Sequence, residues 1–377
     1  MRNLATIQTI IALEPIQNRD RIELATILGW KTIVEKGKFK VGDTVIYCEI
    51  DSILPIHPAF EFLRQQCYSP KYNGFRIRTM KMGNAYSQGI VFSLDVLNHF
   101  SKKTFTKIGT DVTDILQIRK YDPEFTIEVV KQKRNRFLQF LFKFSIIRKL
   151  FLPKKESKGW PIWLPKTDEI RIQNVPNILN EFKDLKVFVT MKMDGQSATY
   201  AIKDDKFYVC SRNIHHKTQH PCSYWNIAIR YNIEKQLRLL LTRSGIMYKN
   251  LAIQGEICGP GIQGNKYGFP ELKFFVFSIY DIDKHEYVGK EEFDRLMSHL
   301  TLDTVQTLEY NIPISVIGTT VDECINTVKK LCNTSNGFTN EGLVIRSMDG
   351  KPYIDELGKQ FSFKIINPDF LVKHYDA

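Results

Sequence analysis

Short apolar runs that alternate with polar residues dominate the first hundred residues of the chain. Such runs, bounded by Gly-containing turns, predict strands. Gly37 and the triplet Val41-Gly42-Asp43 indicate two of the turns. The charged segment 19–28 predicts a short helix or an irregular crossing. Five strands are predicted in this region, at residues 7–12, 30–35, 44–51, 75–78 and 89–94.

Five short strands in one small domain predict a barrel, and the OB-fold is the first choice. Residues 75–81 alternate apolar and basic side chains. One face of this segment would enter the core, and the other would present Arg76, Arg78 and Lys81 outward. That outer face is either a strip that binds a phosphate backbone or an ordinary solvated strand surface.

The domain organisation is predicted as residues 1–125, a connector at 126–160, and a second domain at 161–377. The connector carries a basic run at 131–136 and a Phe- and Leu-rich run at 137–144. We expect a basic, aromatic helix that docks on a neighbouring domain. Contact with RNA or with a membrane surface is the alternative.

The second domain mixes helix and strand patterns, so the fold class is α+β. Thr167 or Asp168 is the expected N-cap where it begins. A polar loop is expected to carry His215, His216 and His220, whose spacing matches no standard metal site. The predicted strands lie near 187–192, 251–256, 274–280, 341–347 and 360–366, and the predicted helices at 224–241 and 291–300.

The stretch VFVTMKMDGQSATY, residues 187–200, carries the strongest candidate chemistry. Its Val/Thr-rich run predicts a buried strand, and Asp194-Gly195 predicts a tight turn. Lys192 would stand at the end of that strand, as a nucleophile or as a phosphate clamp. A nucleophilic lysine must lose its proton, which burial or a neighbouring cation favours. Taken alone, K-x-D-G is more often a hairpin turn with a solvated lysine.

Composition narrows the class of protein. The 377 residues suggest about two domains, and a net charge of +12 with a pI of about 9.2 favours a nucleic-acid partner over an anionic membrane. Seven scattered cysteines without a C-x-x-C pair predict reduced thiols. No signal peptide or membrane span is recognised, because the apolar run at 137–152 is short and interrupted by charges. We therefore expect an intracellular, cytoplasmic protein.

Polar residues interrupt several apolar runs downstream of Lys192. Buried charges are costly unless they meet partners, so these residues are expected to converge on one pocket. Lysines, arginines, carboxylates and an aromatic face are what a nucleotide with metal-bound phosphates needs. The segments are SRN at 211–213, QGE at 254–256, FVFSIYD at 275–281, EGLVIR at 341–346 and SFK at 362–364.

Together with KMDG at 192–195, these segments resemble, in order, the motifs of the covalent nucleotidyltransferases, which include ATP-dependent ligases and mRNA capping enzymes. The RNA ligases fit best. DNA ligases and capping enzymes typically carry an arginine two residues after K-x-D-G, where this chain has Ser197.

Further segments at 41–55, 75–89, 164–174 and 255–268 resemble the nick-sealing RNA ligases of the Deinococcus radiodurans type, so the resemblance covers nearly the whole chain. It implies an α+β fold in which an OB-like β-barrel domain precedes an ATP-grasp-like adenylyltransferase domain of antiparallel sheets with helices. Two positions depart from the pattern. Gly83-Asn84 replaces an expected Arg-Gly pair, and Ser362 replaces a first lysine, which leaves more of the phosphate contact to Lys364.

The resemblance implies an ATP-dependent RNA ligase that seals 3′-OH/5′-phosphate nicks through a lysyl-AMP on Lys192. Asp194 and Glu341 would hold Mg²⁺ mostly through water, with Mn²⁺ as a substitute. The partner would be RNA, as a nicked duplex with an RNA 3′-OH strand, and the protein a monomer without a membrane partner. The implied nucleotide-binding residues are Glu256 at the ribose, Phe277 (or Phe275) on adenine, and Lys364, Arg212, Ser197 and Arg346 near phosphates.

Two alternatives stay open at this stage. The chain could be a capping-type guanylyltransferase or a DNA ligase of the same superfamily, although Ser197 argues against both. It could instead be a catalytically inactive OB-containing RNA-binding protein. The intact set of Lys192, Glu256, Glu341 and Lys364 argues against that reading.

Overall fold

The structure of the chain is a computed structural model that describes residues 3–121, 157–217, 222–334 and 338–374. These residues form two units. The first comprises 3–121 with 173–176 and 371–374, and the second comprises 157–172 and 177–370 apart from the gaps. The predicted boundary at 125, the basic run at 131–136, the Phe- and Leu-rich run at 137–144 and His220 lie outside the described residues.

Antiparallel strands build the first unit. They are β1 Ala5–Ile16, β2 Arg19–Ile27, β3 Trp30–Glu35, β4 Thr44–Cys48, β5 Ser52–Leu54, β6 Tyr68–Ser69, β7 Gly74–Arg76, β8 Thr79–Met82, β9 Ala85–Gln88, β10 Ile90–Ser93 and β11 Arg119–Lys120, with helix α1 at Arg64–Cys67 and 3₁₀ turns at Pro58–Leu63 and Leu94–His99. One sheet has the order β10-β4-β1-β2-β3 and a second has the order β11-β5-β7-β6, while β8 and β9 form a hairpin. Alternating residues such as Ile7, Ile46 and Phe75 are buried in the core of this unit.

The five strands predicted in this region are confirmed as β1, β3, β4, β7 and β10. The prediction for residues 19–28 is wrong, because this segment is strand β2 and pairs with both β1 and β3. The segment has no regular alternation, because Arg19, Asp20 and Arg21 are all exposed and Leu24 and Ala25 are buried in succession.

Strands and helices share the second unit, so the predicted α+β class is confirmed. The strands are β12 Ser157–Gly159, β13 Ile170–Arg171, β14 Lys186–Lys192, β15 Gln196–Lys203, β16 Lys206–Cys210, β17 Ile214–His216, β18 Leu251–Cys258, β19 Lys273–Asp281, β20 Glu286–Tyr287, β21 Asp303–Thr304, β22 Thr307–Pro313, β23 Gly342–Ser347 and β24 Ser362–Ile366. The helices are α2 Ile178–Glu181, α3 Ser223–Arg230, α4 Ile233–Leu241, α5 Lys290–Met297 and α6 Val321–Cys332, and 3₁₀ turns lie at Gln263–Asn265, Ile314–Val316 and Asp355–Leu357. Helix α7 Pro368–His374 and the 3₁₀ turn Ile172–Asn174 begin in this unit and end in residues of the first.

Two sheets organise the second unit. The larger has the order β12-β17-β16-β15-β18-β19-β20, with β21 beside β19, and the smaller has the order β13-β24-β23-β14-β22. The main core lies between the larger sheet and helices α3, α4 and α5, where Phe274 and Val276 of β19 are buried against Leu237 and Leu296. The chain passes from the smaller sheet to the larger at residues 193–195, between β14 and β15.

Three local predictions for this unit are wrong. No helix begins at Thr167 or Asp168, since an irregular segment there leads into β13. The single helix predicted at 224–241 is two helices, because Asn232 takes a left-handed φ of 48° between α3 and α4. His215 and His216 lie in strand β17 rather than in a loop. Helix α6 and strand β22 were not predicted. In the described part of the chain, no helix is long and apolar enough to cross a membrane.

Candidate active site

The turn that carries Lys192 joins the two sheets of the second unit. Strand β14 is buried along Val187–Met191 and emerges at Lys192, opposite Gly342 of β23. The turn then packs against the end of β18. A Cβ on Gly195 would lie 2.3 Å from the carbonyl oxygen of Ile257, so this position has no room for a side chain. The predicted strand end at Lys192 is confirmed, whereas Asp194 and Gly195 form no hydrogen-bonded turn, since the backbone only bends at Gly195 and this glycine does not take a positive φ.

Carboxylates surround the Lys192 ammonium. Lys192 Nζ lies 2.7 Å from Glu341 Oε2, and the two side chains are only 22% and 14% exposed. Glu341 directly precedes β23, and its backbone carbonyl accepts a hydrogen bond of 2.9 Å from the Asn367 N–H. Glu256 reaches the same region from β18, where it pairs with Ser197 across the ladder. Three segments that are far apart in the sequence therefore bring one lysine and two glutamates together.

The charges around Lys192 set its protonation state. Burial works to lower its pKa, but Glu341, Glu256 and Asp194 outweigh burial and hold the pKa above its ordinary value. Burial also raises the pKa of Glu256 to about 8, against the opposing attraction of Lys192. Lys192 is thus an ammonium ion in this state, and burial alone does not prepare it for nucleophilic attack.

Asp194 faces a second lysine. Its buried carboxylate forms an ion pair with Lys266, which lies in the loop between β18 and β19. The Asp194 N–H donates a 2.7 Å hydrogen bond to the hydroxyl of the next loop residue, Tyr267. Neither loop residue was given a role from the sequence, although both lie in the GEICGPGIQGNKYG segment that resembles the ligases. In the sequence, the only indication of these two residues was that a lysine and a tyrosine follow several glycines.

Carboxylate oxygens are the donors that Mg²⁺ and Mn²⁺ prefer, and Asp194, Glu256 and Glu341 supply them around one lysine. Residues 3–121, 157–217, 222–334 and 338–374 contain no group of three or more His, Cys, Asp or Glu arranged to ligate a metal directly.

Aromatic side chains line the face of β19 that is turned away from the core. Phe274 and Val276 are buried inside, whereas Phe275 and Phe277 are partly exposed on the opposite face. Phe277 borders a cavity of about 220 Å³, together with Pro165 and Gln254. Phe275 instead contacts Phe269, with 5.7 Å between ring centroids. This placement favours Phe277 over Phe275 as the ring available to a base.

Arg346 lies in the middle of this region and is 3% exposed. Its guanidinium contacts Glu169 at 3.0 Å and Thr190 at 3.2 Å, and it lies 5.3 Å from the ring centroid of Phe277. Because of this burial, Arg346 is not an ordinary surface arginine. Glu169, which the sequence had left without a role, is its ionic partner.

The other residues predicted to contact the nucleotide, Arg212, Ser197 and Lys364, differ in their exposure to solvent and in their partners. Arg212 is exposed and pairs with Asp168 through both nitrogens of its fork. The hydroxyl of Ser197 lies 2.6 Å from that of Thr167. Lys364 lies in β24 opposite Val344, close enough to Glu341 to oppose the rise in its pKa that burial causes. Thr167 and Asp168 thus orient site side chains rather than cap a helix.

The basic strip of the first unit has the predicted alternation at its start. Phe75 and Ile77 are buried, whereas Arg76 and Arg78 are partly exposed and Lys81 is exposed. The Arg76 guanidinium stacks 3.9 Å from the ring centroid of Tyr121. The Lys81 ammonium lies 5.2 Å from the Tyr86 ring.

A larger groove of about 510 Å³ lies on helices α3 and α4 and is lined by none of the predicted site residues. The chemistry is concentrated at the smaller cavity and the Lys192 turn. A partly buried lysine at the end of a strand, ringed by carboxylates, is the arrangement that a nucleotidyltransferase would need, and Phe277 is the predicted site residue that lines the smaller cavity.

Comparison with known proteins gives the family. A profile of the RNA ligase family matches residues 185–366, and a profile of an OB-fold domain matches residues 4–94. A sequence search of curated proteins finds no match. The Naegleria gruberi RNA ligase with PPi is similar over 100% of both chains, at 29% identity and a TM-score of 0.76.

Two substituted forms of the same Naegleria gruberi ligase, one with ATP and Mn and one with AMP and Mn, match at 30% identity over 100% of both chains, each with a TM-score of 0.76. The chain therefore belongs to the RNA ligase family. The predicted order of domains, an N-terminal OB-fold domain followed by a ligase domain, is confirmed.

Proposed function

We propose that this protein is an ATP-dependent RNA ligase of the Deinococcus radiodurans type, which seals 3′-OH/5′-phosphate nicks in duplex nucleic acid through a lysyl-AMP intermediate. The observation that carries the proposal is the Lys192–Glu341 ion pair of 2.7 Å, with Glu256 and Asp194 beside it. ATP and Mn in a similar Naegleria gruberi ligase support a nucleotide and a divalent metal as its cofactors.

Three transfers make up the reaction. Lys192 Nζ attacks the α-phosphorus of ATP, forming a P–N bond while the bond to pyrophosphate breaks. A 5′-phosphate oxygen of the RNA then attacks the same phosphorus, which releases Lys192 and leaves AMP joined to the RNA end. The 3′-OH finally attacks the RNA 5′-phosphorus, and AMP departs with the electrons of the broken P–O bond.

The residues around Lys192 would position ATP and move the proton of the nucleophile. Because Lys192 is an ammonium ion in its pair with Glu341, it must lose a proton before it attacks. Phe277 would stack on adenine at the cavity edge, and Glu256 would accept hydrogen bonds from the ribose hydroxyls. Lys364 would contact the α-phosphate from β24, on the side of Glu341.

Asp194 and Glu341 would hold Mg²⁺ or Mn²⁺, largely through its waters. When bound, the metal would supply positive charge that favours the neutral amine of Lys192 and offsets the charge developing on the transferred phosphate. Arg212 would meet a phosphate or the RNA end, because it is exposed at the rim and held by Asp168. Ser197 is a further candidate for a phosphate contact.

Arg346 is better suited to a supporting role than to the direct phosphate contact expected from the sequence. Its charge is already matched by Glu169, and its guanidinium lies against the Phe277 ring. We propose that it fixes the ring on which adenine stacks. Arg76, Arg78 and Lys81 would bind the RNA backbone from the OB-fold domain. The proposed OB-fold domain comprises residues 1–125, the connector residues 126–160 and the ligase domain residues 161–377.

The partner would be a nicked duplex with an RNA 3′-OH strand, bound by one copy of the protein. An intracellular, cytoplasmic location is also part of the proposal. It is supported by the seven cysteines, none of which forms a disulfide.

The first test is formation of a covalent adduct with ATP labelled at the α-phosphate, beside equally labelled GTP. We expect a band that needs Mg²⁺ or Mn²⁺, forms with ATP alone and disappears in Lys192→Ala. A nicked RNA duplex, a nicked DNA duplex and a nick with an RNA 3′-OH strand then give the substrate preference. Label from GTP, or joining restricted to a DNA 3′-OH strand, would reverse the assignment.

A further inference from the structure

The loop between β18 and β19 places a cation on Asp194, outside the set of residues used in the proposed reaction. The Lys266 side chain is 14% exposed and that of Asp194 is 7% exposed, so their ion pair is largely removed from water. The Lys266 ammonium also lies 5.2 Å from the ring centroid of Phe370. A lysine that is buried this far from solvent needs a compensating charge, and Asp194 supplies it.

The shape of the loop holds Lys266 in this position. Asn265 donates from its amide to the Phe269 carbonyl at 2.8 Å and accepts from the Phe269 N–H at 3.1 Å, which closes the turn around Lys266 and Tyr267. Gly259 begins the loop at a φ of 137°, where a Cβ would lie 2.7 Å from the Glu271 carbonyl oxygen. Tyr267 then anchors the backbone of Asp194. The loop therefore fixes both the backbone and the carboxylate of Asp194.

The two carboxylates that would hold the divalent metal are thus each paired with a lysine, Glu341 with Lys192 and Asp194 with Lys266. Lys192 has a use once it is released from Glu341, because it is the nucleophile. Lys266 has none in the proposed reaction. A lysine ammonium and a hydrated divalent cation that compete for one carboxylate cannot both keep their full interaction with it.

We propose that Lys266 is a positioning residue that holds the place of the metal on Asp194 and yields that carboxylate when the divalent cation binds. In the metal-free protein, Lys266 balances the negative charge of the buried Asp194 carboxylate. It thereby keeps residues 192–195, which carry the nucleophile, in the conformation that the structure shows. This inference rests on the proposed function, because Asp194 is taken from it as part of the metal site.

If Lys266 competes with the metal, its removal should change the metal affinity in the opposite direction from the removal of an ordinary structural ion pair. Removing Lys266 leaves Asp194 buried without this counter-charge, so the metal-free protein should be less stable. The same change removes a competitor, so the metal should bind more tightly. A lysine that merely braced the loop would weaken metal binding when lost, because the site would become disordered.

The test is the affinity of the nucleotide-free protein for Mn²⁺, measured from the electron paramagnetic resonance signal of the free ion. Lys266→Met should bind Mn²⁺ about tenfold more tightly than wild type, within the range of about two- to a hundredfold that couplings in charge networks reach. Lys266→Arg keeps the positive charge and should remain near the wild-type affinity. Unchanged or weaker binding by Lys266→Met overturns the proposal.

Lys290 provides a matched control. It is 6% exposed and pairs with Asp294 at 2.5 Å in helix α5, so Lys290→Met also removes a buried lysine from an aspartate. That variant should melt at a lower temperature without any change in Mn²⁺ affinity. If it tightens Mn²⁺ binding as much as Lys266→Met does, the effect is one of overall charge and the proposal fails.

A double-mutant cycle shows whether Lys266 acts through Asp194. In an Asp194→Asn background, Lys266→Met should leave Mn²⁺ affinity unchanged, and an undiminished gain there counts against the proposal. Melting curves cover the case of poor folding. Mn²⁺ should raise the melting temperature of Lys266→Met more than that of wild type, and a variant that stays unfolded at saturating Mn²⁺ also counts against it.

These outcomes can be separated from the fate of the proposed function. Adduct formation by wild type with labelled ATP tests the ligase chemistry without reference to Lys266. A wild-type adduct together with unchanged Mn²⁺ affinity in Lys266→Met rejects the place-holder role alone. Tighter Mn²⁺ binding without any adduct supports the role of Lys266 and rejects the ligase.

Discussion

At the scale of single residues, the Glu256 carboxyl titrates well above the ordinary range of a glutamate. Its folded-state pKa of about 8 lies above the ordinary value of 4.5, so the folded protein holds a proton that the unfolded chain has lost between those pH values. The free energy of unfolding of the metal-free protein should therefore fall as the pH rises from about 4.5 to about 8, by up to about 5 kcal/mol from this group.

Glu256→Gln removes the group that titrates and should flatten that part of the stability curve. Urea unfolding of metal-free wild type and Glu256→Gln between pH 5 and 9 measures the difference. Glu323→Gln is the control. Glu323 is exposed and hydrogen bonds from Thr319 lower its pKa, so its substitution should leave the slope of the stability curve between pH 5 and 9 unchanged. A wild-type curve that is flat or rises over this window contradicts the expected titration.

The two partly exposed phenylalanines of β19 give a second prediction at this scale. Phe277→Ala should raise the KM for ATP in adenylylation by about tenfold, since stacking of a base on an aromatic ring is worth about 1–3 kcal/mol. Phe275→Ala is the matched control, because Phe275 lies on the same face but packs on Phe269. Equal effects of the two substitutions, measured from initial rates of adduct formation, would show that the cavity edge has been misassigned.

Lys192, Glu341 and Glu256 could be identified from the sequence, because each lies in a short contiguous segment that resembles a motif of the family. Lys266 could not be found in this way. Its partner Asp194 is 72 positions away, and their contact depends on how the glycine-containing loop folds back over the nucleophile turn. The burial of Arg346 could not be predicted for a similar reason, since only the packing of β23 between β14 and β24 shows it.

At the scale of the elements, the passage from β14 to β15 is the most constrained connection in the site. Gly195→Ala would push a methyl group against the backbone carbonyl of Ile257, which cannot move without disturbing β18 and Glu256. We expect adenylylation to fall by more than about a hundredfold, because misplacement of a reacting group by about 1 Å is enough for such a loss. The far-ultraviolet circular dichroism spectrum should stay unchanged.

Gly159→Ala is the control for that substitution, since a Cβ there meets nothing within 4 Å and the position lies in strand β12. It should adenylylate at the wild-type rate. Normal activity of Gly195→Ala in the same assay would mean that the turn can shift and that its geometry does not position Lys192.

Element prediction succeeded where one face of a strand is buried without interruption and failed where tertiary contacts override local preference. Strand β3 has the predicted bounds because its alternation is regular. Strand β2 was missed because its first three residues are exposed in succession and two buried residues follow each other, so that only its pairing with β1 and β3 shows it to be a strand. Thr167 and Asp168 have the side chains of an N-cap, yet their oxygens are used by Ser197 and Arg212. A competing partner far along the chain cannot be seen from four neighbouring residues.

At the scale of the whole molecule, the net charge of +12 predicts strong, salt-dependent binding of nucleic acid. The question is whether the strip of Arg76, Arg78 and Lys81 accounts for a defined share of it. Each neutralised phosphate of a duplex contributes about 0.9 to the slope of log affinity against log salt concentration. Replacing all three residues by glutamine should therefore lower that slope by up to about 2.7 for a nicked RNA duplex.

The control replaces Lys36, Lys38 and Lys40 by glutamine, which removes the same number of charges from exposed positions of the first unit outside the strip. If the strip contacts the RNA backbone, the slope of log affinity against log salt concentration should fall in the strip variant and stay at the wild-type value in the control. Fluorescence anisotropy across a salt series measures both slopes. Adenylylation of Lys192 by ATP should be unchanged in both variants, because that step uses no RNA. Equal slopes in the two variants would assign RNA binding to the overall charge of the protein rather than to this strip.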